Sequence, residues 1–136
     1  QVSMKNNILK FTVYLYYLAL IVLLILYLYP GSIIGYLLYG NFGKQPNLVM
    51  NPIGTSINHF FYFSLLTFLG SIYNLNKQKF INSFFFLFTL SIFLEIAHFF
   101  IPNRALEFND IIANSLGVIS IYLLFKLKKK IYDKKI

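Results

Sequence analysis

Three of the four carboxylates of the chain lie within residues 95–117, a window that is otherwise largely apolar. Ionisable side chains are costly in such a setting, about 2.5–3.5 kcal/mol each at the centre of a membrane helix, so they usually mark functional sites. Glu95 and His98 are three residues apart and therefore share one helix face. The same holds for Asp110 and Asn114, four residues apart. A carboxyl group beside an imidazole could act as a general acid and base.

Other kinds of chemistry find less support in the sequence. Carboxylate-bridged metal sites use two Glu-x-x-His motifs with further carboxylates, and only one such motif is present. We therefore expect no metal ion and no cofactor. The chain also has no cysteine, no Gly-rich phosphate loop, no His-Glu-x-x-His sequence and no nucleophile elbow. No catalytic motif is complete, so the sequence leaves open whether the protein is an enzyme.

Seven polar residues form the candidate binding site, and a purely structural role is the alternative for each. They are His59, Glu95, His98, Arg104, Glu107, Asp110 and Asn114. We expect Arg104 to form an ion pair with Asp110 or Glu95, whereas Glu107 could simply stiffen the turn. With neutral histidines, three carboxylates and one arginine sum to −3 + 1 = −2. That sum suits a phosphate ligand poorly unless a carboxylate is protonated.

The composition is typical of an integral membrane protein. Of the 136 residues, 58% are hydrophobic and 12% are charged, with a mean hydropathy of +0.67, whereas soluble domains are about a quarter charged. The net charge of +8 would suit a nucleic-acid partner in a soluble protein. Here, however, ten of the twelve basic residues flank apolar segments. They indicate membrane topology, and we expect no nucleic-acid partner.

We predict one all-α domain over residues 1–136 with four transmembrane helices. The helices cover about residues 11–29, 57–73, 80–101 and 110–127, followed by a basic tail over 128–136. Pro102 should end the third helix, and Asn109 or Asp110 should cap the fourth. The connection Pro30–Ser56 holds five of the seven glycines and three of the four prolines. This content predicts a long loop rather than a continuous helix.

The distribution of lysines predicts the orientation in the membrane. With four spans both termini share a side, and the lysines near the N-terminus, at Lys77 and Lys79 and in the tail place that side in the cytoplasm. The long loop and the turn after Pro102 then face outward. The seven candidate residues converge at this outer boundary, with Glu95 about 9 Å below the helix end. We expect a multi-pass protein of the bacterial inner (cytoplasmic) membrane.

The same window resembles the VanZ-like family of small membrane proteins. That family has a Glu, a Gln three residues later, then Pro-x-Arg and Asp-x-x-Ala-Asn-x-x-Gly. The chain has Glu95, His98, Pro102-Asn-Arg104 and Asp110-Ile-Ile-Ala-Asn114-Ser-Leu-Gly117. His98 replaces the usual Gln, and Thr55-Ser56 replaces an Asp-Lys that commonly precedes the histidine of helix two. The resemblance implies a cell-envelope protein of the class named for low-level teicoplanin resistance.

Two functions of different classes follow from these observations. The first is a polar site, facing outward, that engages membrane lipids through a headgroup or binds a lipid-linked cell-wall precursor. The second is a non-catalytic accessory subunit of a larger membrane protein complex, favoured by the small size, the 20% aromatic content and the lack of a complete catalytic motif. An intramembrane enzyme using Glu95 and His98 is a third hypothesis.

Overall fold

The computed structural model describes residues 2–46, 54–76 and 79–133, and within these ranges it contains helices and no strands. The α-helices are α1 (Val2–Leu28), α2 (Ile33–Tyr39), α3 (Ser56–Asn76), α4 (Phe84–Ala97) and α5 (Phe108–Asp133), with 3-10 turns at Phe80–Asn82 and His98–Phe100. The all-α class is confirmed. Residues 77–78 of the predicted polar turn and 134–136 of the predicted tail lie outside the described residues.

Two helices are longer than predicted because no helix-breaking residue stops them. α1 begins at Val2 rather than at residue 11, since neither proline nor glycine occurs before Pro30. α5 begins at Phe108 rather than at 110, where the amides of Asp110 and Ile111 donate to the carbonyl of Glu107 at 3.0 and 3.2 Å. Asp110 thus lies in the first turn instead of capping the helix. The lysines of the tail continue α5 to its end, because lysine favours helical geometry.

The predicted third helix is split by local capping groups. Ser83 is extended, and its Oγ accepts a hydrogen bond of 3.2 Å from the amide of Phe86, which starts α4. Just before it, Asn82 Oδ1 accepts from the amide of Lys79 at 2.9 Å. These side chains satisfy amides that a helix start leaves unpaired. At the other end, a 3-10 turn closes the segment shortly before Pro102, as the sequence predicts.

The connection after α1 is folded rather than irregular. Ser32 caps α2 by accepting from the amide of Gly35 at 2.9 Å, and its own amide donates to the carbonyl of Phe42 at 2.7 Å. The rings of Tyr36 and Phe42 stack with centroids 4.2 Å apart. At Gly35 a Cβ would lie 1.7 Å from the carbonyl oxygen of Lys44, so only glycine fits. Residues 47–53 of this connection lie outside the described residues.

The core forms where α3 packs against α5 and α1. Its buried apolar side chains are Tyr16, Leu20, Leu23, Tyr27, Phe63, Leu66, Tyr73, Leu87, Leu94 and Val118. The helices α3 and α5 are in tight contact at Gly117, where a Cβ would lie 2.6 Å from the carbonyl oxygen of Phe60. The two helix backbones can approach this closely because Gly117 has no side chain.

Among the described residues, two helices are long and apolar enough to cross a membrane, judged by length and composition. They are Asn7–Leu28 of α1 and Phe108–Ile131 of α5, whereas the apolar segment Phe84–Phe100 is shorter. Large apolar side chains stay exposed along α1, among them Phe11, Tyr14 and Leu18. Exposed apolar faces of this extent mark surfaces that water does not cover.

Candidate functional site

Five of the seven predicted site residues meet at one end of the helix bundle. His59 comes from the start of α3, Glu95 and His98 from the end of α4, and Asp110 and Asn114 from the start of α5. Glu95 and Asn114 have no exposed surface, and His98 and Asp110 are also buried. The antiparallel order of the helices brings these chain segments together, as the sequence predicts. We call these five residues, with Tyr27, the polar cluster.

Tyr27 joins the members of the polar cluster and was not predicted from the sequence. Its hydroxyl contacts His59 Nδ1 and donates to Asn114 Oδ1 at 2.8 Å. Its ring stacks on that of His98, with centroids 5.1 Å apart. The sequence does contain a pattern that could have indicated Tyr27. The buried residues Tyr16, Leu20, Leu23 and Tyr27 follow one another at helical spacing. A buried tyrosine on such a stripe needs a polar partner for its hydroxyl.

The His98–Glu95 pair holds one shared proton. His98 Nε2 lies 3.1 Å from the carbonyl oxygen of Tyr27, which can only accept, so this nitrogen carries a hydrogen. A neutral imidazole has only one such hydrogen, yet His98 Nδ1 lies 3.2 Å from Glu95 Oε1. A hydrogen bond there requires one further proton, on the ring or on the carboxyl group. The pair is thus neutral as a whole.

A row of hydrogen bonds with a fixed direction leads from the α4 backbone to His59. Asn114 Nδ2 donates to the carbonyl of Ser91 at 3.2 Å, which fixes the amide so that its Oδ1 accepts from Tyr27. Tyr27 therefore donates its single hydroxyl proton to Asn114 and has none left to donate to His59. His59 Nδ1 must therefore donate to the Tyr27 oxygen. His59 Nε2 faces Asp110 Oδ2 at 3.4 Å.

Arg104 does not form the expected ion pair with Asp110 or Glu95. Its Nη2 donates to the carbonyl of Leu26 at 2.5 Å and its Nε to the carbonyl of Tyr29 at 3.4 Å. The carbonyl of Leu26 lacks a partner in α1, because Pro30 has no amide hydrogen to donate. Within the described ranges, the carboxyl groups of Asp110 and Glu95 lie instead against His59 and His98. Arg104 instead caps the negative end of the α1 dipole, and burial lowers the pKa of its guanidinium.

The side chain of Glu107 is exposed and lies outside the polar cluster. Its contribution comes from the backbone, since its amide donates to Glu95 Oε1 at 3.2 Å. Partial burial raises the pKa of its carboxyl group, and the negative charges of Asp110 and Glu95 raise it further. Glu107 is therefore electrostatically coupled to the cluster without belonging to it.

A cavity of about 550 Å³ adjoins the polar cluster. Its apolar wall includes Leu23, Leu26, Ile33, Ile34, Phe61 and Leu65, and its polar groups include Gln45, Asn58, His59, His98 and Arg104. Ligand cavities in proteins measure about 300–1,000 Å³ and combine an apolar wall with a few polar groups. This cavity has both properties, which an amphipathic ligand would match.

His59, Glu95 and Asp110 could hold a metal ion, which differs from the expectation drawn from the sequence. Each residue offers one ligand atom, and these atoms all lie within 4.8 Å of one another. The expectation of no metal rested on finding only one Glu-x-x-His motif in the sequence. The trio comes instead from three helices, so no spacing along the chain reveals it.

Comparison with known proteins identifies the family. A family model described as VanZ/LLP1 matches residues 11–129. The chain belongs to the VanZ/LLP1 family. The match includes all seven predicted site residues and Tyr27, whereas no curated protein and no solved structure matches the chain. Membership in the VanZ/LLP1 family and the two long apolar helices together indicate a membrane protein.

Proposed function

We propose that this VanZ/LLP1 protein is a multi-pass protein of the bacterial cytoplasmic membrane that binds a lipid or lipid-linked cell-wall precursor from the outer side. In this proposal α1, α3, α4 and α5 span the membrane and both termini are cytoplasmic. The observation that carries the proposal is the apolar cavity beside a buried polar cluster. Family membership adds the link to antibiotic resistance.

The cavity has an apolar region and a polar region that would contact different parts of a bound lipid. Leu23, Leu26 and Leu65 lie on the wall that would contact an acyl or prenyl chain. Arg104 and His59 lie where a polar headgroup would sit. Arg104 donates two of the five N–H hydrogens of a guanidinium to α1 carbonyls, which leaves three for a phosphate or carbonyl oxygen. The carboxyl group of Asp110, which contacts His59, favours a headgroup that also has donors.

The test uses a substitution that fills part of the cavity and leaves the residues of the polar cluster unchanged. Ile34→Trp places a large ring in the cavity, whereas Leu37→Trp makes the same change on an exposed face of the same short helix. The protein would be purified in mild detergent and the lipid that remains bound counted by native mass spectrometry. We expect Ile34→Trp to retain several-fold less lipid than wild type and Leu37→Trp to retain as much. Equal lipid content in all three proteins would contradict the proposal.

The accessory-subunit hypothesis is favoured by a different observation. Phe99, Phe100 and Phe108 are more than 70% exposed near the polar cluster, and a partner helix would cover such a surface. Purification from the native membrane in mild detergent separates the two hypotheses. A stoichiometric partner that Phe99→Ser and Phe100→Ser together release would support the subunit. A monodisperse monomer that carries lipid would support the lipid-binding protein.

A further inference from the structure

Two buried carboxylate oxygens of the polar cluster lack hydrogen-bond partners within the described residues. They are Glu95 Oε2 and Asp110 Oδ1. The other oxygen of each carboxyl group faces a histidine nitrogen, at 3.2 Å for Glu95 and 3.4 Å for Asp110. Glu95 has no exposed surface and Asp110 has 3%. Buried polar atoms in folded proteins nearly always have a partner, because an unpaired buried oxygen loses its hydration without compensation. The two oxygens therefore point to a bound cation.

His59 is oriented as a metal-binding histidine would be. The directed hydrogen bonds from Ser91 through Asn114 and Tyr27 make His59 Nδ1 a donor. In the neutral ring, Nε2 then carries a lone pair, and it faces Asp110 Oδ2 at 3.4 Å. A lone pair beside a carboxylate is repulsive unless a proton or a metal cation lies between them, and a bound metal ion would take the place of the proton. Histidines that bind metals commonly donate their other N–H to an oxygen, as His59 does to Tyr27.

The distances and charges suit a divalent cation. Zn²⁺ binds nitrogen and oxygen at about 2.0–2.2 Å, so two ligands of a tetrahedral ion lie about 3.4 Å apart. His59 Nε2 and Asp110 Oδ2 have this separation, and a ligand atom of Glu95 lies within 4.8 Å of both residues. A metal ion would displace the proton that His98 and Glu95 share, and the carboxylates of Glu95 and Asp110 then carry −2 together. One dication balances this charge.

We propose that His59, Glu95 and Asp110 form a binding site for one divalent cation of the Zn²⁺ type. One imidazole with two carboxylates is a ligand set that Zn²⁺ accepts, and three protein ligands leave a position open. His59 also lines the cavity, so the site borders the space in which we propose that lipid binds. Metal binding rests on the polar cluster alone and does not require the lipid.

The experiment measures metal binding directly. The full chain would be purified in detergent with a histidine-free tag, stripped with a chelator and titrated with Zn²⁺ to about 100 µM, roughly a hundredfold above a micromolar Kd. We expect about one Zn²⁺ per chain after gel filtration and a Tm raised by about 5 °C or more. Co²⁺ in the same site should show the absorption bands of low-coordinate cobalt. A wild-type protein that retains no metal and has an unchanged Tm would overturn the inference.

Variants then test the ligands. His59→Gln and Asp110→Asn should each weaken Zn²⁺ binding by at least 100-fold, whereas Glu107→Gln, a change of a nearby exposed carboxylate, should bind like wild type. Should a ligand variant fail to fold, the wild-type titration still decides. Equal Zn²⁺ affinity in all folded variants would mean an adventitious ion and would refute the site. Ile34→Trp separates the two proposals, because unchanged Zn²⁺ binding in that variant supports the metal site whatever its lipid content.

Discussion

Tyr27 connects α1 to three other helices through one hydroxyl group and one ring. Replacing it with phenylalanine keeps the ring but leaves His59 Nδ1 and Asn114 Oδ1 without their partner. Unpaired buried polar groups cost about 1–3 kcal/mol each. We expect Tyr27→Phe to lower the Tm in detergent by several degrees. Tyr14→Phe removes the hydroxyl of an exposed tyrosine on the same helix and should leave the Tm unchanged; equal Tm values for both variants would contradict the role assigned to Tyr27.

Glu107 should make stability depend on pH, because the pKa of its carboxyl group is raised in the folded state. The folded protein therefore binds this proton more tightly than the unfolded chain. Above its folded pKa, the ionised Glu107 therefore destabilises the folded protein. The effect is absent at a pH at which Glu107 is protonated in both the folded and the unfolded protein. Glu107→Gln should raise the Tm at pH 7 and have no effect at about pH 3.5, below its ordinary pKa. An identical Tm difference at both pH values would show that charge is not the cause.

At the scale of single elements, the α3–α5 contact depends on Gly117. A methyl group there would lie 2.6 Å from the carbonyl oxygen of Phe60, and backbone atoms cannot move aside easily. Overpacking of this kind costs about 1–3 kcal/mol. Gly117→Ala should therefore lower the Tm clearly. Gly43→Ala, whose new methyl group would meet only the side chain of Asn41, is the matched control and should have little effect.

The helices and their order could be predicted from the sequence because apolar length and prolines determine them. The meeting of Glu95, Asp110 and His59 followed from the same antiparallel order. The split at Ser83 could not be predicted, since it depends on side chains that compete with the backbone for hydrogen bonds. The partner of Arg104 was also missed. It is the carbonyl of Leu26, 78 positions earlier in the chain, which Pro30 leaves unpaired. A count of charged residues does not include neutral acceptors such as this one.

At the scale of the whole molecule, the proposed topology can be tested with single cysteines, because the native chain has none. Ala105 lies in the segment before α5 and Lys129 lies near the C-terminal end of α5, and both are exposed. With cytoplasmic termini, an impermeant maleimide applied to intact cells should label Ala105→Cys and spare Lys129→Cys until the membrane is opened. The reverse pattern would invert the protein and move the polar cluster to the cytoplasmic side.

The hydrogen-bonded row from His59 to Ser91 also determines how protons can move. Tyr27 and His59 can pass a proton along, but the next members are the amide of Asn114 and a backbone carbonyl, which do not release or take up protons near neutral pH. The row of hydrogen bonds therefore does not conduct protons. A proton therefore cannot reach His59 from the α4 backbone along this row.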